Sequence, residues 1–394
     1  MICEKMVGLV KGSSAIRAMF EEGRKMAKIY GEENVYDFSL GNPNVAPPNA
    51  VAESVEDLIR NEDPMHLHGY MSNTGFESTR KAVADSLNKR FHTHYGPENV
   101  IMTVGAASGL NVVFRSLLNP GDEVITFAPF FAEYRNYVAN YDGVLVEISP
   151  DTETFQPKLD EFAAKITART RCVLVNSPNN PTGVVYSAQT YRKMAEILNE
   201  KQKEFGTQIY LVTDEPYREL VYGDVEVPFV PDFYQNTIVG YSFSKSLSLP
   251  GERIGYLVIP SEVDDYEEVY AAMGVANRIL GYVNAPSMFQ LVVERCLEET
   301  TDLSYYEQNR NTLYDGLTKL GFTCIKPDGA FYLFMKSPIA DEKAFCETAK
   351  KHHILIVPGS GFGCPGYVRI AYCVSYETII NSLPAFEKLA AETL

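Results

Sequence analysis

The chain has 394 residues, 45% of them apolar, enough for two domains or one large one with a sizeable core. Its 35 basic and 51 acidic side chains leave a net charge of −16, which excludes nucleic acid as the expected partner. No apolar stretch approaches the ~18 residues of a membrane span. Met1 to Lys11 lack the apolar run and small-residue cleavage site of a signal peptide, so a cytoplasmic protein is expected. Seven scattered cysteines (Cys3, Cys172, Cys296, Cys324, Cys346, Cys364, Cys373) form no CxxC pair and no metal spacing, and read as reduced thiols.

In chain order, Ser13 to Tyr30 carries an apolar stripe at helical spacing through Ile16, Met19, Phe20, Met26 and Tyr30. Leu40-Gly41-Asn42-Pro43 and Pro47-Pro48 then break regular structure. From about residue 75, helical patterns near 76–92, 107–118, 158–167 and 187–205 alternate with apolar runs. Those runs are Val100–Val104, Glu123–Phe127, Val144–Ile148, Cys172–Val175, Ile209–Val212, Thr237–Tyr241 and Tyr256–Ile259. Strands separated by helices predict an α/β fold, a mainly parallel mixed sheet covered by helices. Two helices over about 284–320, strands at Phe322–Ile325, Phe331–Met335, Ile354–Val357 and Tyr367–Ala371, and a helix over 376–392 predict a smaller α+β domain. The expected division is 1–49 as an N-terminal arm and part of the small domain, 50–285 as the large domain and 286–394 as the small C-terminal domain.

Three polar sites follow apolar strands: Asn180 in Ser-Pro-Asn-Asn-Pro-Thr-Gly, Asp214 in Asp-Glu-Pro-Tyr, and Lys245 in Ser-Phe-Ser-Lys-Ser. In an open parallel sheet, ligands bind beyond the carboxyl ends of the strands, so an amide, a carboxylate and an amine can meet in one crevice. Taken singly, the first is an ordinary turn and the second a strand end with solvated acids. A lysine at such a place forms a Schiff base with an aldehyde. Ser242, Ser244 and Arg253 beside it can grip a phosphate. An aldehyde and a phosphate on one small molecule describe pyridoxal phosphate. Its pyridine ring draws electrons only while the nitrogen stays protonated, a task for a buried carboxylate, Asp214. Asn180 and the Tyr217 hydroxyl can donate to its phenolic oxygen, and Phe131 can cover the ring face. Gly105-Ala106-Ala107 ends a strand and opens a helix, where small residues let an anion approach free N–H groups. Arg369, inside the apolar strand Tyr367–Ala371, is costly to bury unless paired, and a substrate α-carboxylate is a fitting partner.

Together these segments resemble the class I/II aminotransferases of the aspartate aminotransferase superfamily, over about residues 35 to 375. The resemblance implies the fold type I architecture, pyridoxal 5'-phosphate as cofactor, and a homodimer with active sites at the subunit interface. It implies that Lys245 binds the cofactor and shuttles the proton. Tyr70, in His-Gly-Tyr-Met-Ser-Asn-Thr-Gly, matches the tyrosine that reaches the neighbouring subunit's phosphate, and Gly41 matches the backbone position beside the substrate carboxylate. There are departures: Phe131 stands where many members have tryptophan, and Gly105-Ala106-Ala107 lacks a hydroxyl or lysine. Arg278 lies near the place of a side-chain-reading arginine, about one residue out of register. The expected activity is transfer of an amino group between an amino acid and a 2-oxo acid, with aspartate and 2-oxoglutarate as the first pair. A carbon–sulfur β-lyase or cyclopropane-forming synthase on the same scaffold is the alternative. A non-catalytic relative is disfavoured because Lys245, Asp214 and Arg253 are all present.

Overall fold

A computed structural model describes residues 2–11 and 15–394. The helix Ala15–Tyr30 covers the expected N-terminal stripe, of which Ser13 and the side chains of Ile16 and Phe20 lie outside the described residues. Twelve strands follow one another along the described chain. They are β1 (Tyr36–Asp37), β2 (Val100–Thr103), β3 (Glu123–Phe127), β4 (Val144–Ile148), β5 (Thr170–Asn176), β6 (Tyr210–Asp214), β7 (Thr237–Ser242), β8 (Gly255–Val258), β9 (Tyr332–Lys336), β10 (Ile354–Leu355), β11 (Val357–Pro358) and β12 (Tyr367–Ala371).

Seven strands form the main sheet in the order β2-β8-β7-β6-β5-β3-β4. All neighbours pair in parallel except β8, which runs antiparallel to both β2 and β7. The central strands are buried along their whole length, as continuous apolar runs in a doubly covered sheet should be. On one face Leu110, Val113 and Phe114 of the helix Gly105–Leu117 pack with Met273 and Ala276 of the helix Tyr266–Ile279. On the other, Tyr191, Met194 and Leu198 of the helix Ala188–Phe205 cover Ile125, Val173 and Leu211. The sequence pattern passed over Tyr266–Ile279 because its buried positions, Val269, Met273, Ala276 and Asn277, form a weak apolar stripe.

Register sets the position of the site. Asn176 at the end of β5 lies opposite Asp214 at the end of β6, and Ser242 at the end of β7 lies opposite Gly255. Thr103, two residues before the helix Gly105–Leu117, lies opposite Gly255 from the other side. Asn180, Asp214 and Lys245 therefore all lie at or just beyond one end of one sheet's strands.

A second, three-stranded sheet has the order β11-β12-β9, with both pairings antiparallel. Its core joins Leu333, Met335, Val368 and Ile370 to Leu313 and Leu317 of the helix Leu303–Lys319 and to Phe386 and Leu389 of the helix Tyr376–Thr393. The expected strand Phe322–Ile325 reduces to a single bridge between Cys324 and Met335. Beyond it the chain turns through Pro327 and bonds elsewhere, Asp328 N–H to Gly183 and Ala330 N–H to Leu220. The expected strand Ile354–Val357 divides at Ile356, because β10 pairs with β1 while β11 pairs with β12. The β1–β10 pairing is parallel, and the Phe38 carbonyl goes on to accept from Ala371 N–H. Residues 36–41 are thereby stitched to the second sheet and delivered to the crevice beside the first. Among the described residues no helix is long and apolar enough to cross a membrane, and no cluster could hold a metal ion.

Candidate active site

The crevice is a pocket of about 300 Å³ lined by Gly41, Ala106, Ala107, Phe131, Asn180, Asp214, Tyr217, Ser242, Ser244, Lys245, Arg253 and Arg369. Leu40, Leu110, Tyr137, Asn176, Pro216, Pro250 and Tyr332 complete it.

Lys245 stands on a short helical turn, Phe243–Ser246, that starts where β7 ends. Ser242 Oγ accepts from Ser244 N–H at 3.2 Å and opens the turn, and the Tyr241 hydroxyl donates to Ser246 Oγ at 2.9 Å and fastens it. The Lys245 ammonium donates to the Gly41 carbonyl at 2.8 Å and lies 5.2 Å from the centre of the Phe331 ring. Burial pushes its pKa down to about 8; Cys373 opposes the shift, and Arg253 and Arg369 add to it. An amine so placed is a ready nucleophile for a carbonyl and a proton carrier near neutral pH.

Asp214 lies across the pocket at the end of β6. The Tyr134 hydroxyl donates to its Oδ2 at 2.6 Å, while Oδ1 is buried with no partner. Burial raises the carboxyl to about pH 6, against the Tyr134 hydrogen bond and with Glu215 reinforcing the rise. The neighbouring Glu215 is committed elsewhere, to Arg218 Nε at 2.5 Å, as a buried structural pair. Asn176 links the two strand ends: its amide donates to the Asp214 carbonyl at 2.8 Å and its Oδ1 accepts from Asn180 N–H at 2.8 Å.

Arg253 has a left-handed backbone, φ 54°, and turns its guanidinium back over the opening of the helix Gly105–Leu117. It donates to the Pro250 carbonyl at 3.0 Å and approaches Ser244 Oγ at 3.5 Å, and the Ser242 and Ser244 hydroxyls are 2.8 Å apart. Gly105 has φ 78°, and a Cβ there would come within 2.7 Å of Arg253 Nη2. Glycine is required at that position for the cation and the helix start to share one hollow.

Arg369, on β12, is buried and has no carboxylate within ion-pair distance among the described residues. It donates to Asn180 Oδ1 at 3.1 Å and to the Ser39 carbonyl, and its Nε has no partner. The Tyr332 and Phe362 rings flank it at 4.7 and 5.0 Å. Burial lowers its pKa, although Tyr332 and Tyr217 work against the shift. The Tyr217 and Tyr332 hydroxyls are 2.9 Å apart. Tyr332 also explains Gly41, since a Cβ at that position would sit 2.0 Å from the Tyr332 hydroxyl oxygen.

Gly105 sits against Arg253 without lining the pocket, and two further sequence-derived candidates stay outside it. Tyr70 is 93% exposed, and Arg278 is exposed near the end of the helix Tyr266–Ile279. Arg135 bonds Glu147 in two places, at 2.8 and 3.1 Å, and serves as a structural cation. Tyr134, Tyr332 and Asn176 escaped the sequence reading. For Tyr134 the available signal was its place three residues after Phe131, one helical turn on.

These residues fit pyridoxal phosphate. The orphaned Asp214 Oδ1 is an acceptor for a protonated ring nitrogen, and Phe131 is a face for the ring. The Gly105 hollow with Arg253 and two serine hydroxyls suits a phosphate, and the Lys245 amine suits an aldehyde. Comparison with known proteins gives the same answer. The family model described as aminotransferase class I and II matches residues 33–384. A probable aspartate/prephenate aminotransferase of Thermus aquaticus is 32% identical over 360 residues, 88% of this chain and 89% of its own. The crystal structure of an amino transferase from Eubacterium rectale matches with TM-score 0.97 at 49% identity, covering 100% of this chain and 99% of its own. Aspartate aminotransferase from Thermus thermophilus, solved with maleate, matches with TM-score 0.85 at 27% identity, covering 95% of this chain and 96% of its own. These relatives do not favour the lyase alternative. The chain belongs to the class I and II aminotransferases, pyridoxal-phosphate-dependent enzymes of fold type I that move an amino group between an amino acid and a 2-oxo acid.

Proposed function

We propose that this one pocket holds the cofactor on Asp214, Phe131 and the Arg253 hollow, and holds the α-carboxylate of the amino acid or 2-oxo acid on Arg369. The observation that carries the reading is Arg369, a buried cation with an unpartnered Nε and no acid beside it. Burying such a charge costs several kcal/mol unless a counter-ion arrives. A planar carboxylate satisfies it bidentately.

When bound, the cofactor supplies an electron sink for the carbon that loses its proton. Asp214 Oδ1 holds the ring-nitrogen proton, and Phe131 covers one ring face. Asn180 has its Oδ1 committed to Arg369, which leaves its NH2 free to donate to the ring oxygen beside Tyr217. The helix opening at Gly105, Ala106 and Ala107 meets the phosphate with its N–H groups, and Ser242, Ser244 and Arg253 supply hydroxyls and a full charge. Lys245 Nζ would attach the cofactor, and once the substrate amine has displaced it the freed amine would take the proton from substrate Cα and return it. With a pKa near 8, roughly a tenth of such an amine is neutral at pH 7, enough for a general base.

Aspartate and 2-oxoglutarate are the pair we propose first, supported by the names of the relatives. Apart from Lys245, Arg253 and Arg369, the pocket lining contains no cation, so a side-chain carboxylate would need a reader from outside it. Arg278 is the candidate, brought by a second copy of the chain. A homodimer is also supported by the nearly full exposure of Tyr70 and by exposed Met65, Val275, Ile279 and Val283 near it. Cytoplasmic residence rests on seven unpaired cysteines. The division into a large domain over 50–285 and a small one with the N-terminal arm rests on the separation of the seven-stranded sheet from the two smaller ones.

The test is the visible spectrum of the cofactor-loaded protein as single amino acids are added. Bleaching that a 2-oxo acid restores supports the reading, and the amino acid that bleaches fastest names the donor. Release of pyruvate with an unbleached spectrum would replace it with the lyase.

A further inference from the structure

We propose that Tyr134 is a positioning residue for the cofactor: its hydroxyl fixes the Asp214 carboxylate with Oδ1 aimed at the ring nitrogen, and its ring braces Phe131. The inference rests on the proposed role of Asp214 and adds a residue that does not line the pocket. Asp214 Oδ2 receives one short hydrogen bond, 2.6 Å from Tyr134, and Oδ1 receives none. A carboxylate with two equivalent oxygens can rotate; one with a phenol on Oδ2 cannot without losing that bond. The rotation is costly because both groups are buried. The same tyrosine touches Phe131 edge to face, ring centres 5.7 Å apart at 86°, and stacks on Phe130 at 6.4 Å. One side chain thus holds the group under the cofactor nitrogen and the ring expected to cover the cofactor's face.

The electrostatics follow from the geometry. The titratable groups facing Asp214 are Tyr134 and Tyr137 on the helix Tyr134–Ala139, Glu215 next to it and Tyr217 beyond. Glu215 repels the ionised form. Among these, only the Tyr134 phenol donates a hydrogen bond to the carboxylate and favours its charge. Tyr134 keeps its own proton, because burial and Asp214 both drive its pKa far up. Removing the hydroxyl therefore leaves Asp214 harder to ionise.

Tyr134→Phe removes the hydroxyl and keeps the ring against Phe131. The measurement is the dissociation constant of pyridoxal phosphate for the apoprotein, by titration at a series of pH values. Wild type should lose affinity as pH falls through about 6, where Asp214 takes up its proton. Tyr134→Phe should bind about tenfold more weakly at neutral pH, the worth of one hydrogen bond to a charged group. Its acid limb should move to higher pH. In an Asp214→Asn background the same change should have no further effect. Equal affinities and equal acid limbs in wild type and Tyr134→Phe would overturn the proposal, as would additive losses in the double variant. Tyr134→His keeps an N–H donor and covers the case in which Tyr134→Phe does not fold. A wild-type acid limb there supports donation to Asp214, and a limb shifted up by a full unit overturns it. A wild-type protein that bound no cofactor would instead sink the reading on which the inference rests.

Discussion

Two buried arginines, Arg218 just beyond β6 and Arg369 on β12, are held in opposite ways. Arg218 has Glu215 at 2.5 Å, two backbone carbonyls at 3.0 and 2.9 Å, and the Phe91 and Phe229 rings for company. Burial is the largest single influence and works against the charge, yet Glu215, Glu219 and Tyr191 together push its pKa up. Arg369 is as deeply buried and has one amide, one carbonyl, two rings and no acid. Its pKa is pushed down. The first charge is complete within the fold, and the second has no counter-charge among the described residues. Burial alone does not mark a functional cation; burial without a counter-charge does.

Five variants sharpen or break that contrast. Lys245→Ala has the largest expected effect: loss of covalent cofactor attachment and a fall in turnover of about 10⁴-fold or more, with circular dichroism unchanged. Full turnover in that protein would remove the mechanism. Arg369→Ala should lower kcat/KM by roughly 10²- to 10³-fold for every amino donor alike, with thermal stability held or raised because an uncompensated charge is gone. A loss confined to acidic donors would make Arg369 a side-chain reader instead.

Arg218→Ala should do the reverse, destabilising the fold by about 3–5 kcal/mol by stranding Glu215, with no preference among donors. A denaturant melt measures the first part and a donor panel the second. Asp214→Asn should stabilise the cofactor-free protein at pH 7. The carboxyl's folded pKa of about 6 lies above its unfolded value of 3.8, so the favourable contribution of this group is present below pH 3.8 and is lost as pH rises through 6. The gain at pH 7 is up to about 3 kcal/mol and should vanish near pH 4; a gain independent of pH would contradict the cause given. Arg278→Ala should have the smallest effect, a severalfold rise in KM for dicarboxylate substrates only. Unchanged kinetics with aspartate would discard Arg278 as their reader.

Much of the candidate pocket was legible in the sequence, because strand-end chemistry is local. Lys245 with Ser242, Ser244 and Arg253, and Asp214 after its apolar run, sit within a few residues of the strands that aim them. Strands β3, β4 and β12 fall on the expected residues for the same reason. What stayed hidden depends on pairing across long separations. Tyr332 faces Arg369 because β9 and β12 pair with Tyr332 opposite Ala371 and Phe334 opposite Arg369, a register no local pattern declares. Tyr134 meets Asp214 across 80 positions of chain. The division of Ile354–Val357 is equally non-local, since two different strands claim its two halves.

The Asn180 side chain carries one further consequence. Its oxygen is held by Arg369 and its nitrogen is free to face the cofactor's ring oxygen. A carboxylate that docks on Arg369 competes for the same guanidinium hydrogens and loosens the amide's other end. If Arg369 and Asn180 hold the roles proposed for them, occupancy of the substrate site would reach the ring through a single planar group. On that assignment the ring's surroundings would differ between empty and loaded pockets before any bond to substrate had changed.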